Sequence, residues 1–164
     1  MKRVMAVFCL LMTLCVGAAA ADEAVFASTQ AFLQLMQESR VWCEFTGLEG
    51  DGEHVITEVS TQEGYPVALD LCFAPDGRRC TLRAGELIAF AQPQQLSVLK
   101  VCNDLNSDFR YVRFHIEEDS RTVTAVMDVR FIGQEAGETV WDAMQRLLVI
   151  VEEGLPALTP LSGR

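Results

Sequence analysis

The chain has 164 residues, half of them hydrophobic and 22% charged, so it is long enough for one domain with a sizeable core and too apolar for wholesale disorder. Thirteen Lys and Arg stand against 23 Asp and Glu, a formal net charge of −10. That excess repels nucleic-acid phosphates and anionic membrane surfaces, and no nucleic-acid partner is expected.

Lys2 and Arg3 precede an uncharged apolar run from Val4 to Val16, then Gly17, Ala18–Ala21 and the acidic pair Asp22-Glu23. A positive start, an apolar stretch and small residues at the cut are the pattern of a secretory signal peptide, expected here over 1–21. The uncharged stretch to Ala21 is near the lower limit for a span, and its last third is alanine. Cleavage is therefore expected over retention as an anchor, with no stable membrane insertion afterwards and a periplasmic or secreted protein as the product. Loss of Lys2 and Arg3 leaves 11 basic groups against 23 acidic ones, net −12. Cys9 and Cys15 leave with the leader, while Cys43, Cys72, Cys80 and Cys102 remain. In an oxidising compartment an even number of cysteines points to disulfides, and four allow three pairings. None of the spacings is CxxC, so neither a zinc ribbon nor a thioredoxin-like pair is indicated, and no metal is expected.

In chain order, Phe26–Ser39 is predicted as a helix, with Ser28 as N-cap and Phe32, Leu35, Met36 and Ser39 on one stripe. Val41–Leu48 and His54–Ser60 are predicted as strands joined by the turn Glu49-Gly50-Asp51-Gly52-Glu53. Pro66–Phe73 alternates Val67, Leu69, Leu71 and Phe73 with Ala68, Asp70 and Cys72, a strand returning through Pro75-Asp76-Gly77 to Cys80–Ala84. A helix from about Gln94 to Asn106 carries Val98, Val101, Cys102 and Leu105 inward. Next comes a hairpin of Tyr111–Glu117 and Thr122–Phe131. A two-residue Asp119-Ser120 loop pairs Ile116 with Val123, Phe114 with Ala125 and Val112 with Met127, which gathers the apolar residues on one face. The closing helix is predicted over Glu138–Glu153, ended by Gly154 and Pro156. Residues 22–158 then form a single α+β domain of order α-β-β-β/β-α-β-β-α, an antiparallel sheet with helices on one face, and 159–164 a flexible tail.

Val101-Cys102-Asn103-Asp104-Leu105-Asn106, followed by Phe109-Arg110-Tyr111-Val112-Arg113-Phe114, carries a likeness. A helix ending in N-x-[WL]-N, a short gap with an arginine, a strand, an acidic turn, a second strand and a long last helix characterise the YbjN-like family. Leu96–Glu153 resembles that family, with Leu105 in the place of a frequent tryptophan. The resemblance implies a fold similar to type III secretion chaperones and a sensory-transduction or chaperone-like role, with no catalytic residues to carry over. It further implies a polypeptide partner or a homodimer. Those chaperones are cytoplasmic, so export favours a folded binding module over a secretion-chaperone role.

The candidate contact residues are Asn103, Asn106, Arg110, Tyr111, Arg113 and His115. Asparagines at a helix C-terminus also bond loose backbone groups, and Arg110 is expected to answer a helix-end carbonyl or an acidic neighbour such as Asp104 or Asp108. Tyr111, Arg113 and His115 share the outer hairpin face with Thr124, Val126 and Asp128, a mixed surface of the kind that partners use. No free serine or cysteine is expected beside His115, so a nucleophile–histidine site is unsupported. Glu49, Asp51 and Glu53 lack the spacing of a calcium loop and read as a solvated turn.

For the cysteines two registers compete. A three-residue Pro75–Gly77 loop sets Cys72 opposite Cys80 and permits a disulfide. A two-residue Asp76-Gly77 loop pairs Leu71 with Leu82 and puts the two thiols on opposite faces. Hydrophobic pattern favours the second and the compartment the first, with a bulge able to reconcile them; the expectation leans to a Cys72–Cys80 bond, with Cys43 and Cys102 either bonded or buried. No GxGxxG, P-loop, HExxH or GxSxG occurs, and no cofactor is expected. The sequence thus suggests an exported non-enzymatic domain that binds polypeptide or self-associates. The alternative is a small ligand-binding or inhibitor domain with a cystatin-like or NTF2-like sheet, marked by a dry cavity between Phe32, Phe45 and Phe114.

Overall fold

The computed structural model describes Ala24 and residues 26–132 and 135–163; the expected signal peptide lies outside the described residues. Chain order is α1 (Ala27–Ser39), β1 (Glu44–Glu49), β2 (Gly52–Ser60), β3 (Pro66–Phe73), β4 (Arg79–Ala89), α2 (Gln95–Asp108), β5 (Arg113–Glu117), β6 (Thr122–Arg130) and α3 (Ala136–Leu158). The strands form one antiparallel sheet in the order β1-β2-β3-β4-β6-β5. Strand alternation explains the layering. Val55, Leu69, Leu71, Phe73, Leu82, Ala84, Val123, Ala125 and Phe114 all point to one face and are buried there. Against them pack Phe32, Leu33 and Met36 of α1, Val98, Cys102 and Leu105 of α2, and Val140, Met144, Leu147 and Val151 of α3. The three helices thus cover one sheet face, and the other is left to solvent and polar side chains.

The β5–β6 register is the expected one, with Phe114 opposite Ala125 and Ile116 opposite Val123. The β3–β4 register follows the hydrophobic pattern: Leu71 faces Leu82, Cys72 faces Thr81 and Phe73 faces Cys80. Cys80 is fully buried on the helix side while Cys72 is half-exposed on the open side, and both are free thiols, as are Cys43 and Cys102. The expected Cys72–Cys80 bond is therefore corrected. Period-two alternation places their side chains on opposite faces, and the burial of Phe73, Leu71 and Cys80 together fixes that register.

Other differences have local causes. Strand β4 runs on to Ala89 through an irregular segment between Ala84 and Ile88, where Glu86 takes φ 54°, and so returns Ile88 to β6. Helix α1 starts from Phe26, not Ser28, which is buried in its first turn. The N–H at the helix start is served from strand β2, since Glu53 Oε2 accepts the Phe26 N–H at 3.1 Å. Glu53 therefore belongs to β2 and is fully buried, not a solvated turn residue.

Helix α3 continues through Gly154 and Pro156 to Leu158. Gly154 does not end it; a Cβ there would lie 3.1 Å from Phe114 Cζ, so the glycine gives the Phe114 ring its room. Pro156 forgoes one backbone donor within the last turn, and the buried Leu158 beyond it keeps the helix on the core. The expected loose tail is instead a 3₁₀ turn, Thr159–Leu161, followed by a hydrogen bond from Gly163 N–H to Ala89 O at 3.0 Å.

Candidate functional site

Asp51 sits in the two-residue turn between β1 and β2, since Glu49 already pairs with Gly52. His54 follows three residues later on the open face, and the β2–β3 register sets it opposite Cys72, with Asp70 two residues along the same strand. Gly52 makes the close approach possible: a Cβ there would stand 2.2 Å from the Phe73 carbonyl oxygen and 3.0 Å from Cys72 Sγ.

The imidazole of His54 is held at both nitrogens, Nδ1 by Asp70 Oδ1 at 2.9 Å and Nε2 by Asp51 Oδ1 at 3.2 Å. Ligand atoms of Asp51, His54 and Cys72 all lie within 4.8 Å of one another. Burial alone would depress the His54 value, but the hydrogen bonds to Asp70 and Asp51 outweigh it and raise it. The same bond to His54 holds Asp51 below the usual carboxylate range. Burial, aided by the Asp51 and Asp70 charges, pushes the Cys72 thiol up to about 11. Cys72 is thus a thiol at neutral pH and a poor nucleophile as it stands.

In the sequence Asp51 reads as a solvated turn residue and Cys72 as a disulfide candidate, and neither is paired with His54. The signal was the outward alternation of Asp70 and Cys72, but pairing them with His54 needs the β2–β3 register.

The expected contact residues separate. Asn106 clamps β5: its Nδ2 donates to Phe114 O at 2.9 Å, and its Oδ1 accepts the Phe114 N–H at 2.7 Å. It is a structural tie, joining the end of α2 to an edge strand. Asn103 is exposed, and its side chain makes no hydrogen bond among the described residues; only its carbonyl is engaged, accepting the Ser107 hydroxyl. Arg110 is exposed and pairs with neither Asp104 nor Asp108, a correction to the expected helix-end role. Arg113 meets Asp128 at 3.0 Å and His115 meets Glu117 at 3.0 Å, pairs on the open face that stabilise little because water competes.

Tyr111 stands at a different feature. The β4–β6 ladder runs to Arg79 opposite Arg130, but the β5–β6 ladder stops at Arg113 opposite Val126. Met127–Arg130 therefore has a strand on one side and none on the other among the described residues. A groove of about 830 Å³ opens along that edge, its apolar lining supplied by Tyr111, Met127, Val129, Ala143, Val149 and Ile150. Asp128, Glu135, Glu138 and Asp142 line it against Arg130 and Arg146. Neither this groove nor the smaller hollow beside Arg78 is lined by Phe32, Phe45 or Phe114, and Phe32 and Phe114 are fully buried in the packed core. Among the described residues no helix is long and apolar enough to cross a membrane. Comparison with known proteins gave no matching family model, no matching curated protein and no matching solved structure.

Proposed function

We propose that this chain is an exported, YbjN-like binding domain that does no chemistry and takes up an extended polypeptide as an added strand along Met127–Arg130. The observation carrying this reading is the half-paired β6 strand beside a groove lined by both apolar and charged side chains. Backbone N–H and C=O groups on such an edge give affinity to any extended chain, and the groove gives alternate side chains somewhere to go. Asp128 is already taken by Arg113, and the remaining Glu135, Glu138 and Asp142 against Arg130 and Arg146 leave a slight acidic excess that favours a segment carrying Lys or Arg. The other sheet edge is less suited, because β1 is short and broken by a register shift between Phe45 and Gly47. The family resemblance and the secretion-chaperone-like layout rest on the helix–hairpin–helix order around Asn103 and Asn106, and export rests on the leader pattern. A thiol held protonated at Cys72 accords with a non-catalytic role. A filled interior at Phe32 and Phe114 weighs against the cystatin-like or NTF2-like pocket.

The test is a panel of extended apolar–basic peptides, with amide exchange as the readout. Binding should slow exchange at Met127–Arg130, and Ala143→Glu or Val149→Glu should abolish that protection. Peptide affinity without protection of this strand, or no affinity across the panel, would refute strand addition. A second reading is self-association through the same edge, in which Asp128 exchanges its exposed pairing with Arg113 for Arg130 of a second copy. An antiparallel two-fold about Val129 sets Asp128 of one copy against Arg130 of the other, and sedimentation at rising concentration would reveal it.

A further inference from the structure

The geometry on the open face at the far side of the sheet from the groove points to a separate metal site: we infer that Asp51, His54 and Cys72 bind a divalent transition-metal ion, zinc above all, with Asp70 orienting the histidine. The donors are one carboxylate oxygen, one imidazole nitrogen and one sulfur, a mixed set that suits Zn²⁺ and poorly suits the oxygen-seeking Mg²⁺ and Ca²⁺. Zinc bonds of about 2.0–2.3 Å in a tetrahedron set neighbouring donors roughly 3.3–3.8 Å apart. Asp51 Oδ1 and His54 Nε2 are already 3.2 Å apart, and Cys72 Sγ lies within 4.8 Å of both, so a sulfur shift of about 1 Å closes the triangle.

The position is also built from behind. Asp70 holds Nδ1 at 2.9 Å, which directs Nε2 at the ion, the carboxylate–histidine–metal arrangement of natural zinc sites. The ring of His54 is 13% exposed, so its orientation is held by packing as well. Asp51, 74% exposed, gives up its bond to His54 Nε2 when that nitrogen takes the ion and turns its carboxylate onto the same ion. Three protein donors leave a fourth position to water or to a partner's side chain.

Binding balances by proton exchange. The ion replaces the Cys72 S–H proton and, where His54 is protonated, the Nε2 proton as well, and both go to solvent. Affinity therefore falls with acid. The charged groups facing the site are Asp51 from the turn, Asp70 from β3 and Arg83 from β4.

The experiment is titration of the reduced full chain with Zn²⁺ by calorimetry, and with Co²⁺ by absorbance for the thiolate-to-cobalt charge-transfer band. One equivalent should bind with proton release, and Cys72→Ser should remove the band. The exposed Asp51→Asn, which cannot disturb the core, should weaken Zn²⁺ at least tenfold. Asp70→Asn should keep the band but weaken binding about 10–100-fold, as loss of an outer-shell partner does. A band that survives Cys72→Ser, with the ion held by another cysteine, overturns the inference. So does a chain that takes up no ion in excess Zn²⁺, or Zn²⁺ affinity indifferent to Asp51→Asn.

Discussion

Replacing Asn106 with alanine removes both hydrogen bonds that tie α2 to β5, at 2.9 and 2.7 Å. Each is worth about 0.5–1.5 kcal/mol net, and the loss leaves an N–H and a C=O of Phe114 to partial solvation. Alanine returns up to about 0.7 kcal/mol, because asparagine is the poorer helix former. The balance is a destabilisation of about 1–2 kcal/mol, or about 2–8 °C in Tm for a domain of this size. Asn103→Ala gains the same helix propensity and forfeits no side-chain bond, so it should be neutral or slightly stabilising. Urea and thermal unfolding of the two variants side by side give opposite signs if the clamp is as described. Equal effects, or an Asn106→Ala protein within 0.5 kcal/mol of the parent, would refute the assignment of Asn106 as a tie between helix and edge strand.

Native-state alkylation with mass mapping should modify Cys72 before Cys43, Cys80 and Cys102, which are buried, and a non-reducing map should show no Cys72–Cys80 bond. Gly52→Ala should disrupt the β2–β3 end, since the new Cβ meets the backbone oxygen of Phe73, and Zn²⁺ uptake should fall with it. Gly154→Val should cost about 1–3 kcal/mol in urea unfolding by crowding Phe114. His54, raised by Asp70 and Asp51 over the opposing effect of burial, favours the folded state when protonated. That contribution is complete below the unfolded-state value of about 6.5 and is lost as pH rises through the higher folded value. In metal-free buffer the stability gap between the parent and His54→Gln should therefore narrow as pH climbs past about 6.5, and a gap that is constant with pH would contradict the pairing.

Element type and much of the register were legible in the residues themselves. Val67, Leu69, Leu71 and Phe73 alternate too regularly for anything but a strand buried on one face, and the Phe114–Ala125 pairing follows from keeping apolar residues together. The same alternation, followed strictly, also separates Cys72 from Cys80, whereas an argument from compartment joins them. Helix ends were less legible, because Gly154 and Pro156 are stop signals only when nothing beyond them is buried. Leu158 is buried, and packing carries α3 past both. Two features belong to the tertiary structure alone. The His54 cluster exists because a register decided over the whole β2–β3 ladder sets residues 51, 54, 70 and 72 side by side, whereas alternation fixes only the face of each and is equally satisfied by a slip of two residues. The open edge at Met127–Arg130 exists because β5 is shorter than β6, which depends on where Asn106 anchors the chain leaving α2. Local pattern determines which face a side chain takes; only the assembled sheet decides its neighbours across strands, because those contacts are fixed by the packing of the whole core.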